Sequence, residues 1–321
     1  MKKHRWKLGL LLIALIAWLG VAFYGYRQTD SSHSNLTTVT IGYQKGDPVD
    51  ISQQRGELAK KMKAKGYKVV FKEFSDGTAL ITALKSGNIN YARLGDTPPV
   101  TAQASGMNLV YVAAGASKEN GSGILVKKGA SINSLKDLKG KRIAYTKGTS
   151  AQFLILQALK KAGLTTDDVT LVNMDQSAAS VAFAKGKVDA WVTWDPFTAT
   201  AEVEQNAKLL VDGTGLSKNR DFVVSTSSYA KAHTAVSKYL VSYLADDMQW
   251  ATKHQNKLIT MMSKSLHLSK TVIKKQVGRR TFSMGKVTNS IVKEQQKIAD
   301  VFYNAGLIDK KIKVKDALVD Q

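Results

Sequence analysis

Residues 41–46 read IGYQKG and residues 143–148 read IAYTKG, the same letters at four of six places and 102 residues apart. The echo continues downstream. DGTALITALKSGNINYARLGDTPP begins at Asp76 and DQSAASVAFAKGKVDAWVTWDPF at Asp175. Aligning them pairs Asp76 with Asp175, Ala83 with Ala182, Gly87 with Gly186 and Asp96 with Asp195, each 99 residues apart. Two matches in one order, at nearly one offset, indicate a repeated architecture.

Both copies carry the same physical pattern. VTIGY and RIAY are short runs of β-branched and aromatic residues, which predicts buried strands. GTALITALKSG and SAASVAFAKG space apolar residues along one helical face and stop at glycine. NINYARLG and KVDAWVTW read as strands again, each running into an Asp with proline close behind. This alternation predicts an α/β fold of two lobes with largely parallel sheets. Ligands of such sheets gather beyond the carboxyl ends of the strands. Those ends are YQKG, LGDTPP, YTKGTS and TWDPF, so the repeat supplies two facing rims.

The rest of the chain suggests how the lobes join. GSGILVKKGASINSLKDLKGKR, from Gly121, reads as a first crossing, and NRDFVVSTSSY, from Asn219 to Tyr229, as the return. The predicted division is 39–125 with 222–321 for lobe 1, including C-terminal helices, and 126–221 for lobe 2. Two crossings make a hinge that can close on a small molecule.

Composition removes several classes of function. The 321-residue chain has no cysteine, which excludes disulfides, thiolate metal sites and thiol catalysis. Its five histidines are scattered, with no pair at ligand spacing, so neither metal nor cofactor is expected. The net charge of +22 attracts polyanions in general. The lysines are nevertheless spread along the chain without interleaved aromatics, which argues against nucleic acid as a partner. At the N-terminus, MKKHRWK precedes 17 apolar residues, LGLLLIALIAWLGVAFY. Residues 1–25 therefore read as a membrane anchor or a cleavable signal, with basic residues kept inside and the remainder outside the cytoplasm. Residues 26–38 read as a polar tether.

IGYQKG, LGDTPPVTAQASGMNLVYVA, LKDLKGKRIAYTKGTSAQFLILQALKKAGL and VDAWVTWDPF together resemble the substrate-binding proteins of ABC importers for aliphatic sulfonates. That group includes taurine- and alkanesulfonate-binding proteins, and the resemblance spans about Val39 to Leu307. It implies a type II periplasmic-binding-protein fold, a small organosulfonate ligand, delivery to an ABC permease and no catalysis. It also implies a cleft lined by Gln44, Asp96, Thr97, Thr149, Ser150, Trp194 and Asp195. Two departures stand out. Arg93 precedes GDTPP where small or polar residues are usual, and Asp47 and Asp50 follow YQKG where acids are less expected.

Each candidate also has a plainer reading. A sulfonate is a weakly basic monoanion that neutral N–H and O–H donors can hold without a formal cation. Thr149 and Ser150 begin a helix, where they serve an anion, the helix cap, or both. GDTPP is a ligand loop through Thr97, or a tight turn stiffened by two prolines. Asp96 and Asp195 would repel an anion directly and more naturally orient donors or meet an amine. Trp194, at a strand end, offers an apolar wall, whereas Trp191 faces the core. Lys147 and Arg93 attract anions or are surface charges, and Phe222, near the return crossing, is a candidate to pack on the ligand. Nitrate or a pyrimidine as cargo, an enzyme on the same fold, and adhesion through the basic surface are the competing functions.

Overall fold

A computed structural model of the chain describes residues 36–318. The anchor or signal segment and most of the tether lie outside those residues. The first part of the chain runs β1 (Thr37–Tyr43), α1 (Pro48–Arg55), α2 (Glu57–Lys63), β2 (Tyr67–Glu73), α3 (Gly77–Lys85), β3 (Tyr91–Leu94), α4 (Thr97–Ala104) and β4 (Leu109–Gly115). There follow β5 (Ser122–Lys127), β6 (Arg142–Tyr145), α5 (Ser150–Ala162), β7 (Thr170–Asn173), α6 (Gln176–Ala184), β8 (Ala190–Trp194), α7 (Phe197–Glu204) and β9 (Ala207–Asp212). The chain ends with β10 (Phe222–Thr226), α8 (Ser227–Ala232), α9 (Thr234–Lys253), α10 (Gln255–Leu266), α11 (Lys270–Gly278), β11 (Met284–Gly285) and α12 (Asn289–Asn304).

Two sheets result, of order β11-β4-β10-β3-β1-β2 and β7-β6-β8-β5-β9. In the first, β1 lies parallel between β2 and β3. In the second, β6 lies parallel between β7 and β8. IGYQKG and IAYTKG therefore leave the same topological position in each sheet. The next strand over is antiparallel in both cases, β10 beside β3 and β5 beside β8. Each of these is the first strand laid down after the chain arrives from the other sheet.

The placement of β5 corrects one expectation. Ser122–Lys127 is flanked by β8 and β9, so it belongs wholly to the second sheet, and the first crossing lies before it. Gly123, inside β5, has a packing role: a Cβ there would collide with the Val211 carbonyl beside a register shift. The return crossing is residues 213–221. The two crossings run side by side, joined by Gly115 N–H to the Asp221 carbonyl (2.7 Å), Lys118 N–H to Lys218 (2.8 Å) and Gly213 N–H to Glu119 (2.9 Å).

Each sheet has an apolar layer on both faces. Ile41 and Tyr91 pack with Val49, Leu58, Leu240 and Ile273, while Ala92 and Leu94 pack with Leu80, Val100 and Ile298. In the second sheet Val192 packs with Leu154 and Ile155, and Trp191 with Ala179 and Phe183. The helices begin just beyond the strand ends because each has a capping acceptor there: Asp47 for α1, Asp76 for α3, Thr149 for α5 and Asp175 for α6. GDTPP is not a tight turn. Pro98 and Pro99 fall in the first turn of α4, where a missing N–H costs nothing.

Candidate functional site

The carboxyl ends of both sheets open on one cavity of about 600 Å³. The β1–α1, β2–α3 and β3–α4 junctions bring Gln44, Asp47, Asp76, Gly77 and Arg93 to it. The facing junctions of the second sheet bring Thr146, Thr149, Ser150, Asp175, Gln176, Trp194 and Asp195. Lys118, Gly121, Ser122 and Asn219 come from the crossings and their ends, and Leu266, Leu268, Arg279 and Arg280 from the C-terminal helices.

Charge concentrates at the floor. Arg93, Lys118 and Arg280 converge on the buried Asp221: Lys118 Nζ reaches Oδ1 at 2.6 Å, Arg280 reaches Oδ2 at 2.8 Å, and Arg93 also donates to Oδ1. Arg93 Nε lies 3.5 Å from Asp47 Oδ2, and another Arg93 nitrogen donates to Gln44 Oε1 at 3.2 Å. The two departures from the family pattern, Arg93 and Asp47, thus meet each other. Burial lowers the Arg93 guanidinium and takes Arg280 down to about 10. Burial, with the neighbouring Arg93 and Arg280, draws Lys118 well below the usual lysine value. The same burial raises Asp47 against the pull of Arg93. The Nε–H groups of Arg93 and Arg280 are buried without a hydrogen-bond partner, that of Arg93 on the side facing Asp47.

A fourth cation is held apart. Arg279 forks onto Asp195, with Nε to Oδ2 at 2.8 Å, and also reaches Glu202 at 2.7 Å. Burial raises the Asp195 carboxyl, and Arg279 opposes that rise. The expectation of a site made of neutral donors is therefore corrected. Five cationic residues line the cavity, Lys45, Arg93, Lys118, Arg279 and Arg280, the last three from segments outside the repeated motifs.

The sequence candidates divide. Gln44, Arg93, Thr149, Ser150, Trp194 and Asp195 line the cavity; Asp96, Thr97, Lys147 and Phe222 do not. Thr97 is fully buried and donates to Asp96 Oδ1 at 3.1 Å, both turned inward at the start of α4. Burial pushes Asp96 up to about 6, with Lys118 the main opposing influence. Phe222 packs edge-on against Tyr111 in the lobe 1 core, because β10 is an interior strand. Lys147 is exposed beyond the rim. Among the residues that do line the cavity, Gln44 is committed: its Nε2 donates to the Ser75 carbonyl at 3.0 Å. The Thr149 hydroxyl is committed as well, donating to the Thr146 carbonyl (2.8 Å) and accepting from Ala151 N–H (3.3 Å). Asp195 serves Arg279 and the N–H of Ala199.

Lys118, Asn219, Asp221, Arg279 and Arg280 were not found from sequence. The one available signal was Arg279-Arg280 itself, the only adjacent arginine pair in a chain that otherwise favours lysine. Arginine in place of lysine marks forked, partly buried pairing.

Comparison with known proteins agrees with this geometry. The family model described as NMT1/THI5 like matches residues 62–258. A provisionally named aliphatic sulfonates-binding protein of Escherichia coli (strain K12) is 30% identical over 310 residues, 96% of each chain. The crystal structure of the periplasmic aliphatic sulphonate binding protein SsuA from Escherichia coli superposes with TM-score 0.83 at 30% identity, covering 88% of this chain and 92% of that one. The alkanesulfonate-binding protein SsuA from Xanthomonas axonopodis pv. citri, bound to MOPS, also gives 0.83, at 32% identity over 88% and 98% of the chains. The chain belongs to the NMT1/THI5-like family and, within it, to the aliphatic sulfonate-binding proteins.

Proposed function

We propose that the chain is the extracellular substrate-binding component of an ABC importer, capturing aliphatic sulfonates between its lobes and delivering them to the permease. One observation carries this reading: the cavity joins a cationic floor to apolar walls. Arg93, Lys118 and Arg280 line the floor, while Phe74, Trp194, Phe197, Leu266 and Leu268 supply apolar surface elsewhere in the cavity. A sulfonate head keeps its charge at any physiological pH, and an alkyl or substituted alkyl tail matches the walls. Nitrate would leave the apolar surface unused, and a neutral pyrimidine would leave the floor without its anion.

The protein's role is binding rather than conversion. Among the described residues no histidine lines the cavity, and the chain has no thiol, which removes the imidazole-activated and thiolate routes to nucleophilic catalysis. The basic N-terminus and apolar run at residues 1–25 hold the lobes at the outer face of the membrane, within reach of the permease. Titration calorimetry of the full-length chain with ethanesulfonate, butanesulfonate, taurine, nitrate and an aminopyrimidine tests the assignment. Heat with the sulfonates is expected, and the ligand should be recovered unchanged by mass spectrometry. Binding of nitrate or the pyrimidine with none of any sulfonate would overturn it.

A further inference from the structure

Asp221 does not line the cavity, yet it touches three of the five cations that do. Its side chain is 2% exposed. It stands at the foot of β10, where its own carbonyl accepts from Gly115 N–H and ties the return crossing to the first one. Arg93 arrives from β3, Lys118 from the first crossing and Arg280 from beyond α11. Three separate parts of the chain are thus gathered to one carboxylate, which is more than the packing of a single strand end requires.

The charge count at contact distance is simple. Arg93, Lys118 and Arg280 give three positive charges, against Asp47 and Asp221. One positive charge remains. Asp96 stands behind Lys118 without a direct contact, and Arg279 is answered by Asp195 and Glu202. A monoanion brings the floor to neutrality, whereas a dianion would leave an excess negative charge in a buried place, where charge is costly.

We propose that Asp221 is the positioning residue that sets which ligand charge the cleft accepts, by holding the three cations together and cancelling part of their charge. The anionic head binds the parts of Arg93, Lys118 and Arg280 that line the cavity, on the side turned away from Asp221. Asp221 thereby selects singly charged sulfonates over sulfonates that carry a second acid. This rests on the organosulfonate reading above and adds to it the discrimination between ligand classes.

The test compares ethanesulfonate with sulfoacetate, the same two-carbon skeleton with a carboxylate added. Affinities are measured by calorimetry at pH 7.5 on the full-length parent and on Asp221→Asn. The parent is expected to favour ethanesulfonate. Asp221→Asn should shift the affinity ratio toward sulfoacetate by about tenfold or more, since one charge close by in a partly buried site is worth that much. Asp221→Glu, which keeps the charge, should stay near the parent ratio. A folded Asp221→Asn protein with an unmoved ratio overturns the proposal, because a merely structural role would weaken both ligands alike. If that variant does not fold, Arg280→Gln reads the same effect from the other side. It removes one positive charge and should disfavour sulfoacetate further; a ratio that stays put or moves toward sulfoacetate also overturns the proposal. A parent that binds neither sulfonate would instead overturn the organosulfonate reading.

Discussion

Arg279 and Asp195 meet across the cleft, the guanidinium laid in a fork on the carboxylate that ends the second copy of the repeat. Arg279 follows α11, whose helix packs on α7 of the other lobe. Lys275 and Ser269 make parallel links to Glu202 (3.3 Å) and Glu204 (3.5 Å). The lobes are thus joined at the hinge by two crossings and, across the mouth, by a strap of side chains.

If that strap holds the lobes shut, Arg279→Gln will release bound sulfonate faster while changing association little. It will also leave the buried Asp195 without its positive partner, with only the Ala199 N–H remaining, at a cost of about 3 kcal/mol. Stopped-flow release and urea unfolding measure the two effects. Gly121→Ala should act on the same contact, because a Cβ there would collide with Asp195 Oδ2. The double variant should then cost clearly less than the sum of the singles; simple additivity would mean the two changes do not share this contact.

Thr149 and Ser150 separate capping from ligand contact. The Thr149 hydroxyl is spent on Thr146 and Ala151, so Thr149→Ala should lower stability by about 1 kcal/mol. The Ser150 hydroxyl lines the cavity and has no hydrogen-bond partner among the described residues. Ser150→Ala should weaken sulfonate binding several-fold with stability unchanged. Thermal melts with and without ligand distinguish the outcomes, and equal loss of affinity in both variants would refute the division.

The Asp96 carboxyl, raised to about 6 by burial, gives a pH dependence of definite sign. Between its unfolded value of 3.8 and about 6 the folded state binds more protons than the unfolded one. Stability from this group is present below pH 4 and is lost as pH rises through 6, a total of about 3 kcal/mol. Asp96→Asn removes that contribution. Its unfolding free energy relative to the parent should therefore improve from pH 4 to 6 and be level above. A constant difference across the range would refute it.

Trp194 is half-buried on the cavity wall, whereas Trp191 is sealed in the core with its Nε1–H donating to Gln176 (3.1 Å). Sulfonate binding should change tryptophan emission, and Trp194→Phe should abolish most of that change. A response that survives the substitution would place its origin elsewhere.

The repeat carried the architecture because its signals are local. Strand runs, helical periodicity, and capping Asp76, Asp175 and Thr149 depend on residues within a few positions of one another. A duplicated pattern of this kind is readable from letters alone, down to which strand ends form the rims. The floor of the cleft is different. Arg93, Lys118, Asp221 and Arg280 come from four segments far apart in the chain, and nothing near any of them announces the other three. Asp96 and Asp195 show the same limit: their alignment was legible, but one faces a buried helix start and the other an arginine 84 residues on. Electrostatic partners act through space, over a few ångströms of low-dielectric interior, and long-range folding alone decides which charges come within that distance.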